Sequence, residues 1–151
     1  MIQNYNLEGD NTLSQLTGNI IPHHWYHTIC NKSGRPNRIA ISLLSEIVYW
    51  YRPKKGASLD SNLPSLNKKF LGDSWQTSYA YLEKKLCACR ESIRAAFVML
   101  EGLGIIQREL KSIQVRGQTY NNVLFIKLID TRFISSFENK SNSNISAGSK
   151  V

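Results

Sequence analysis

Two arginines four positions apart, Arg90 and Arg94, stand in the run CRESIRAAFVMLEGLG that begins at Cys89. A guanidinium is a planar fork of N–H donors, and it grips a phosphate or the edge of a guanine through two bonds at once. Glu91, Ser92 and Ala95 share the surface of these arginines, and the small side chains among them leave room for a close approach to a DNA groove. Thr77, Ser78 and Tyr81 offer hydroxyls near the start of a preceding helix, where free backbone N–H groups favour phosphate oxygens. Arg108, Lys111, Arg116 and Gln118 lie along a later hairpin; a basic hairpin tip can reach a minor groove or a phosphate backbone, and a solvated edge is the plainer reading of each. Lys54, Lys55, Lys68 and Lys69 fall in a Gly-, Ser- and Asn-rich connection, where they read either as phosphate contacts or as a solvated loop.

Other chemistries are poorly served. His23, His27 and Cys30 have a spacing that could set three metal ligands on one helical face. No second ligand pair follows at zinc-finger spacing, and no Glu stands between the histidines as in a zinc protease, so packing or capping beside Trp25 is expected and no metal or cofactor. The chain has no G-x-x-x-x-G-K-[ST] phosphate loop, no G-x-G-x-x-G turn and no nucleophile elbow, and it does not read as an enzyme.

Elements must hold these side chains in place. Ile93, Ala96, Phe97, Leu100 and Leu103 recur at helical spacing, with Gly104 as the exit, and make the arginine helix amphipathic. Its first position follows Cys89, a poor N-cap. Tyr79, Leu82 and Leu86 form the buried side of a helix capped by Ser78, so two helices meet across a short turn in a helix-turn-helix pattern. The segment from about Arg38 to Tyr51 predicts a largely buried helix, with Tyr49, Trp50 and Tyr51 read as core rather than as a stacking platform. IIPHHWYHTIC, from Ile20 to Cys30, predicts a short helix with Pro22 in its first turn. Strands are expected at Trp75–Thr77, Ile105–Val115 and Thr119–Ile129, the last two joined through Arg116-Gly117-Gln118. Short helices are possible over Leu63–Leu71 and beyond Asp130, the latter with Phe133, Ile134 and Phe137.

The run CRESIRAAFVMLEGLGII resembles the recognition helix and first wing strand of bacterial winged-helix DNA-binding domains, at Arg90, Ile93, Arg94, Ala96, Leu100, Gly104, Ile105 and Ile106. WQTSYAYLEKKL, from Trp75, is similar to the lead-in of such domains in plasmid and phage replication initiators and replisome organisers, and YNNVLFIKL, from Tyr120, to their second wing strand. The likeness covers roughly residues 37–129. It implies an α+β fold, a winged helix-turn-helix of three-helix core plus β-hairpin wing, here with an extra N-terminal helix. It also implies a part in replication initiation or replisome loading for a plasmid, phage or other mobile element.

Composition agrees with a polyanion-binding domain. The 151 residues carry 19 Lys and Arg against 11 Asp and Glu, a net charge of +8. Residues 31–75 hold eight basic and three acidic groups and residues 76–129 eight and four, whereas residues 1–30 hold two acidic groups and no Lys or Arg. No apolar run is long enough to span a bilayer, no secretory signal pattern is visible, and the three cysteines, Cys30, Cys87 and Cys89, suit a reducing compartment, so a cytoplasmic location is expected. The organisation reads as a flexible arm over 1–19, a winged-helix domain over 20–129, and a short helix with a Ser- and Asn-rich tail over 130–151. Double-stranded DNA is the expected partner, with replisome proteins as candidates; the Phe133–Phe137 segment is a candidate dimer surface. A transcriptional repressor and a protein-docking module without DNA binding are the alternatives.

Overall fold

A computed structural model describes residues 17–53 and 68–131. The chain is α+β: helices α1 (Trp25–Thr28), α2 (Arg38–Tyr51), α3 (Tyr79–Leu86) and α4 (Arg90–Gly102), with strands β1 (Trp75–Thr77), β2 (Ile106–Val115) and β3 (Gln118–Leu128). The strands form one antiparallel sheet in the order β1-β3-β2.

Helix α2 begins where its sequence supplies a cap: the Asn37 side chain accepts from the Ala40 N–H at 3.0 Å. Seven of its residues are buried, from Ala40 to Ile47 with Ser42 half-exposed, and α2 packs on both α3 and α4. Ser78 caps α3 through the Tyr81 N–H at 3.1 Å. The core joins Ile41, Leu44 and Ile47 of α2 to Leu82 of α3, Ile93, Phe97 and Leu100 of α4, and Leu124 and Ile126 of β3. Gly104, at φ 73, carries the chain out of α4 into the sheet, and the Ile105 N–H closes back on the Leu100 carbonyl at 3.2 Å. The helix ends one residue before Leu103, and Leu103 is 47% exposed rather than buried on the apolar stripe.

The N-terminal helix is shorter than Ile20–Cys30. It is the single turn α1, because Ile29 and Cys30 leave it to meet the following turn: Cys30 bridges Pro36, and the Asn37 N–H bonds the Ile29 carbonyl at 2.9 Å. Trp25 and Ile29 are nevertheless fully buried, as their spacing predicts. Residues 68–71 are bends, not helix; the remainder of the Leu63–Leu71 segment, Lys54, Lys55, residues 1–16 and the Phe133–Phe137 segment lie outside the described residues.

The β2–β3 hairpin closes through Arg116 and Gly117, both in the left-handed region (φ 51 and 79). Two such residues in succession give a turn whose twist matches that of the strands. Lower down, Ser112 faces both Asn121 and Asn122, the latter at φ 56, which is a bulge that adds twist to the hairpin. No helix among the described residues is long and apolar enough to cross a membrane.

Candidate functional site

The corner between α3 and α4 is a three-residue turn. Cys87 takes a left-handed conformation (φ 50), and Cys89 is the N-cap residue of α4 without a side-chain bond to the helix backbone. Its thiol instead meets the Ser92 hydroxyl at 3.1 Å. That hydroxyl, with the backbone N–H of Ser92, holds the exposed Cys89 thiol below its ordinary pKa. Glu91 adds an acid to the first turn, where the helix dipole favours it.

On the outer face of α4, Arg90, Glu91, Ser92, Arg94, Ala95 and Val98 are all exposed. The guanidinium carbons of Arg90 and Arg94 lie 5.7 and 5.5 Å from the centroid of one ring, that of Tyr79 at the start of α3. Arg90 also meets Glu83 at 3.1 Å, yet half of its side chain remains accessible. Tyr79 is therefore the residue that gathers the arginines. Its ring stands edge-on to Phe97, centroids 5.9 Å apart, and its hydroxyl accepts from Arg108 at 3.1 Å. Nothing local in the sequence marks this role, because the contacts cross from α3 to α4 and β2.

Comparison with family models, curated proteins and solved structures yields no match for this chain.

The remaining expected site residues divide. Arg116 stands at the exposed hairpin tip, and Gln118 beside it accepts from the Tyr120 hydroxyl at 3.2 Å. Lys111 is half-exposed but pairs with Glu109 at 2.8 Å. Arg108 is committed to the fold: it pairs with Glu101, bonds Tyr79 and lies over the Phe97 ring. The Ser78 oxygen is occupied in capping, and the Thr77 hydroxyl oxygen is buried. Lys69 donates to the carbonyls of Tyr49 and Arg52 at 2.9 and 3.1 Å, closing the C-terminal end of α2. His23 and His27 are exposed, the Cys30 thiol donates to the Tyr26 carbonyl, and no group of three or more metal-binding side chains occurs among the described residues.

Tyr81 is not a free phosphate contact, because its hydroxyl donates to Glu46 at 2.6 Å. Glu46 is fully buried in α2 and also accepts from Trp50 Nε1 at 3.0 Å and Asn19 Nδ2 at 2.7 Å. Burial alone would raise the Glu46 pKa, but these three bonds and the charge of Lys85 outweigh it and hold the carboxyl below the ordinary 4.5. Burial and the Glu46 charge push Tyr81 up to about 12. The folded chain thus binds fewer protons at Glu46 than the unfolded chain as pH falls past 4.5, so this contribution to stability is complete above 4.5 and is lost as pH drops through the native value. Glu46→Gln should cost about 1.5–3 kcal/mol at neutral pH and flatten the acid limb of the stability profile, read from urea melts at a series of pH values. An unchanged acid limb would remove Glu46 from that role.

Proposed function

We propose that this chain is a winged-helix protein that binds double-stranded DNA sequence-specifically, with α4 as the recognition helix and the β2–β3 hairpin as the wing. The observation that carries the reading is the pair Arg90 and Arg94, both exposed on the N-terminal half of α4 and drawn together over Tyr79. In a helix-turn-helix the N-terminal residues of the second helix meet the base edges. From α2 onward the order helix, strand, helix, helix, strand, strand, with β3 between β1 and β2, supports the winged form. The net charge of +8 supports a polyanionic partner. Arg116 at the tip would contact phosphate or a minor groove, with Gln118 and Lys111 behind it. The role is binding rather than catalysis, and the likeness of the Trp75–Leu86 and Tyr120–Leu128 segments to replication initiators makes replication of a mobile element the favoured setting.

Purified protein is incubated with fragmented DNA at physiological salt, and the retained fragments are sequenced. Iterated repeats at replication origins are the expected result; promoter sites would make the protein a repressor, and no enrichment would overturn the reading. Affinity for a retained duplex should fall with salt, the logarithmic slope being about −0.9 for each phosphate contacted. Val98, 62% exposed and in line with Arg90 and Arg94, favours a second reading, that α4 docks on a protein. In that case Val98→Asp abolishes function while the arginines are dispensable.

A further inference from the structure

Apart from the α4 face, the described residues form an open groove of about 620 Å³ between the end of α2, β1 and the start of α3. This is a size suited to a small ligand. Its apolar lining is the rings of Trp50, Phe70, Trp75, Tyr81 and Phe125, with the exposed Leu71 beside them. Trp50 and Trp75 stack at 5.5 Å and 17°, and Tyr81 stands edge-on to Trp75 at 6.2 Å. Trp75 is only 4% exposed, whereas Trp50 and Phe70 are half-buried, Phe70 with the Tyr51 ring edge-on to it at 4.8 Å. Trp50 belongs to the aromatic cluster that the sequence assigns to the core; here its indole is anchored at one edge by Glu46 and lines the groove. The rim is polar, with Ser74, Gln76, Thr77 and Ser78. The Lys68 ammonium donates to the Gly72 carbonyl at 3.2 Å and lies 5.1 Å from the Phe70 centroid, which sets a cation beside this wall of the groove.

We propose that this groove takes the planar ring of an unpaired nucleobase, carried either by single-stranded DNA or by a free nucleotide. Ring walls stack on any base face, and a nearby cation accompanies the phosphate; single-strand sites combine these two features. The exposed Gln76 amide has both a donor and an acceptor, as base edges do. An apolar peptide side chain would use neither Gln76 nor Lys68. A paired base cannot enter, because its faces are covered by the duplex stack.

The full chain is titrated with thymidine 5′-monophosphate and with a short oligothymidylate at low salt, following tryptophan fluorescence. Two of the three tryptophans line the groove and Trp25 is fully buried elsewhere, so occupancy should quench saturably. Quenching by the mononucleotide assigns a free nucleotide as sufficient, and quenching by the oligomer alone assigns a strand. Phe70→Ala should weaken binding by about tenfold through lost stacking, and Gln76→Ala, an exposed change that leaves the fold intact by thermal melting, by about fivefold. The proposal is overturned by no quenching from either ligand, by affinity unchanged in both variants, or by an equal response to N-acetyl-leucinamide. Arg94→Ala should leave the quench unchanged while lowering duplex retention, so the groove and the α4 surface can fail separately.

Discussion

Arg94→Ala should lower affinity for the retained duplex by about 10- to 100-fold, the range that follows from losing one bidentate contact to a base. Arg94 is the arginine with the most to lose. Among the described residues it makes no ion pair, and its guanidinium rests only against the Tyr79 ring. Arg90 must first give up Glu83, which offsets part of any gain on binding, so Arg90→Ala should cost less. Fluorescence anisotropy at several salt concentrations separates the two possible targets of Arg94. A base contact lowers affinity for the preferred sequence and leaves the salt slope alone; a phosphate contact lowers affinity for every sequence and reduces the slope by about 0.9. Arg94→Lys keeps the charge but not the fork, so it should rescue the second case and not the first. Affinity unchanged in Arg94→Ala would remove α4 from the interface.

The sequence speaks most clearly where one local rule decides the outcome. Asn37 and Ser78 start helices by capping, Gly104 ends one by adopting a left-handed conformation, and Arg116-Gly117 closes a hairpin between two alternating strands. The exposed face of α4 follows from the same periodicity that buries Ile93, Phe97 and Leu100. The rest depends on contacts between distant segments. Tyr81 looks like a hydroxyl at a helix start until α2 is packed behind it, 35 residues earlier in the chain, with Glu46. Arg108 looks like a free cation on a strand until Tyr79, 29 residues earlier, and Glu101 take it up. One signal was available: Glu46 is the lone acid in a mostly apolar helix whose only other charge is Arg38. A carboxylate on a face that must be buried requires donors, and Trp50, one turn on, is the first of them. The length of α1 had no such marker, because a bridge to Pro36 ends it.

Phe97→Ala is the substitution expected to cost most stability. The side chain is fully buried among the residues joining α2, α3 and α4, and truncating a buried Phe costs about 3–5 kcal/mol. That is a large share of the roughly 5–15 kcal/mol that holds a typical domain together. The urea midpoint should fall steeply while the slope of the transition stays constant. Val98→Ala, one residue on but 62% exposed, should change stability by no more than about 0.5 kcal/mol. The contrast between neighbours tests which face of α4 is turned inward, and equal costs would mean the helix is rotated from the orientation on which the DNA-binding reading depends. Phe97 also backs the Tyr79 ring and lies 5.0 Å beneath the Arg108 guanidinium. At a temperature where Phe97→Ala remains folded, its duplex affinity should therefore still fall, because the ring that gathers Arg90 and Arg94 has lost its support. Phe97→Leu, which refills most of the volume, should recover part of both losses together.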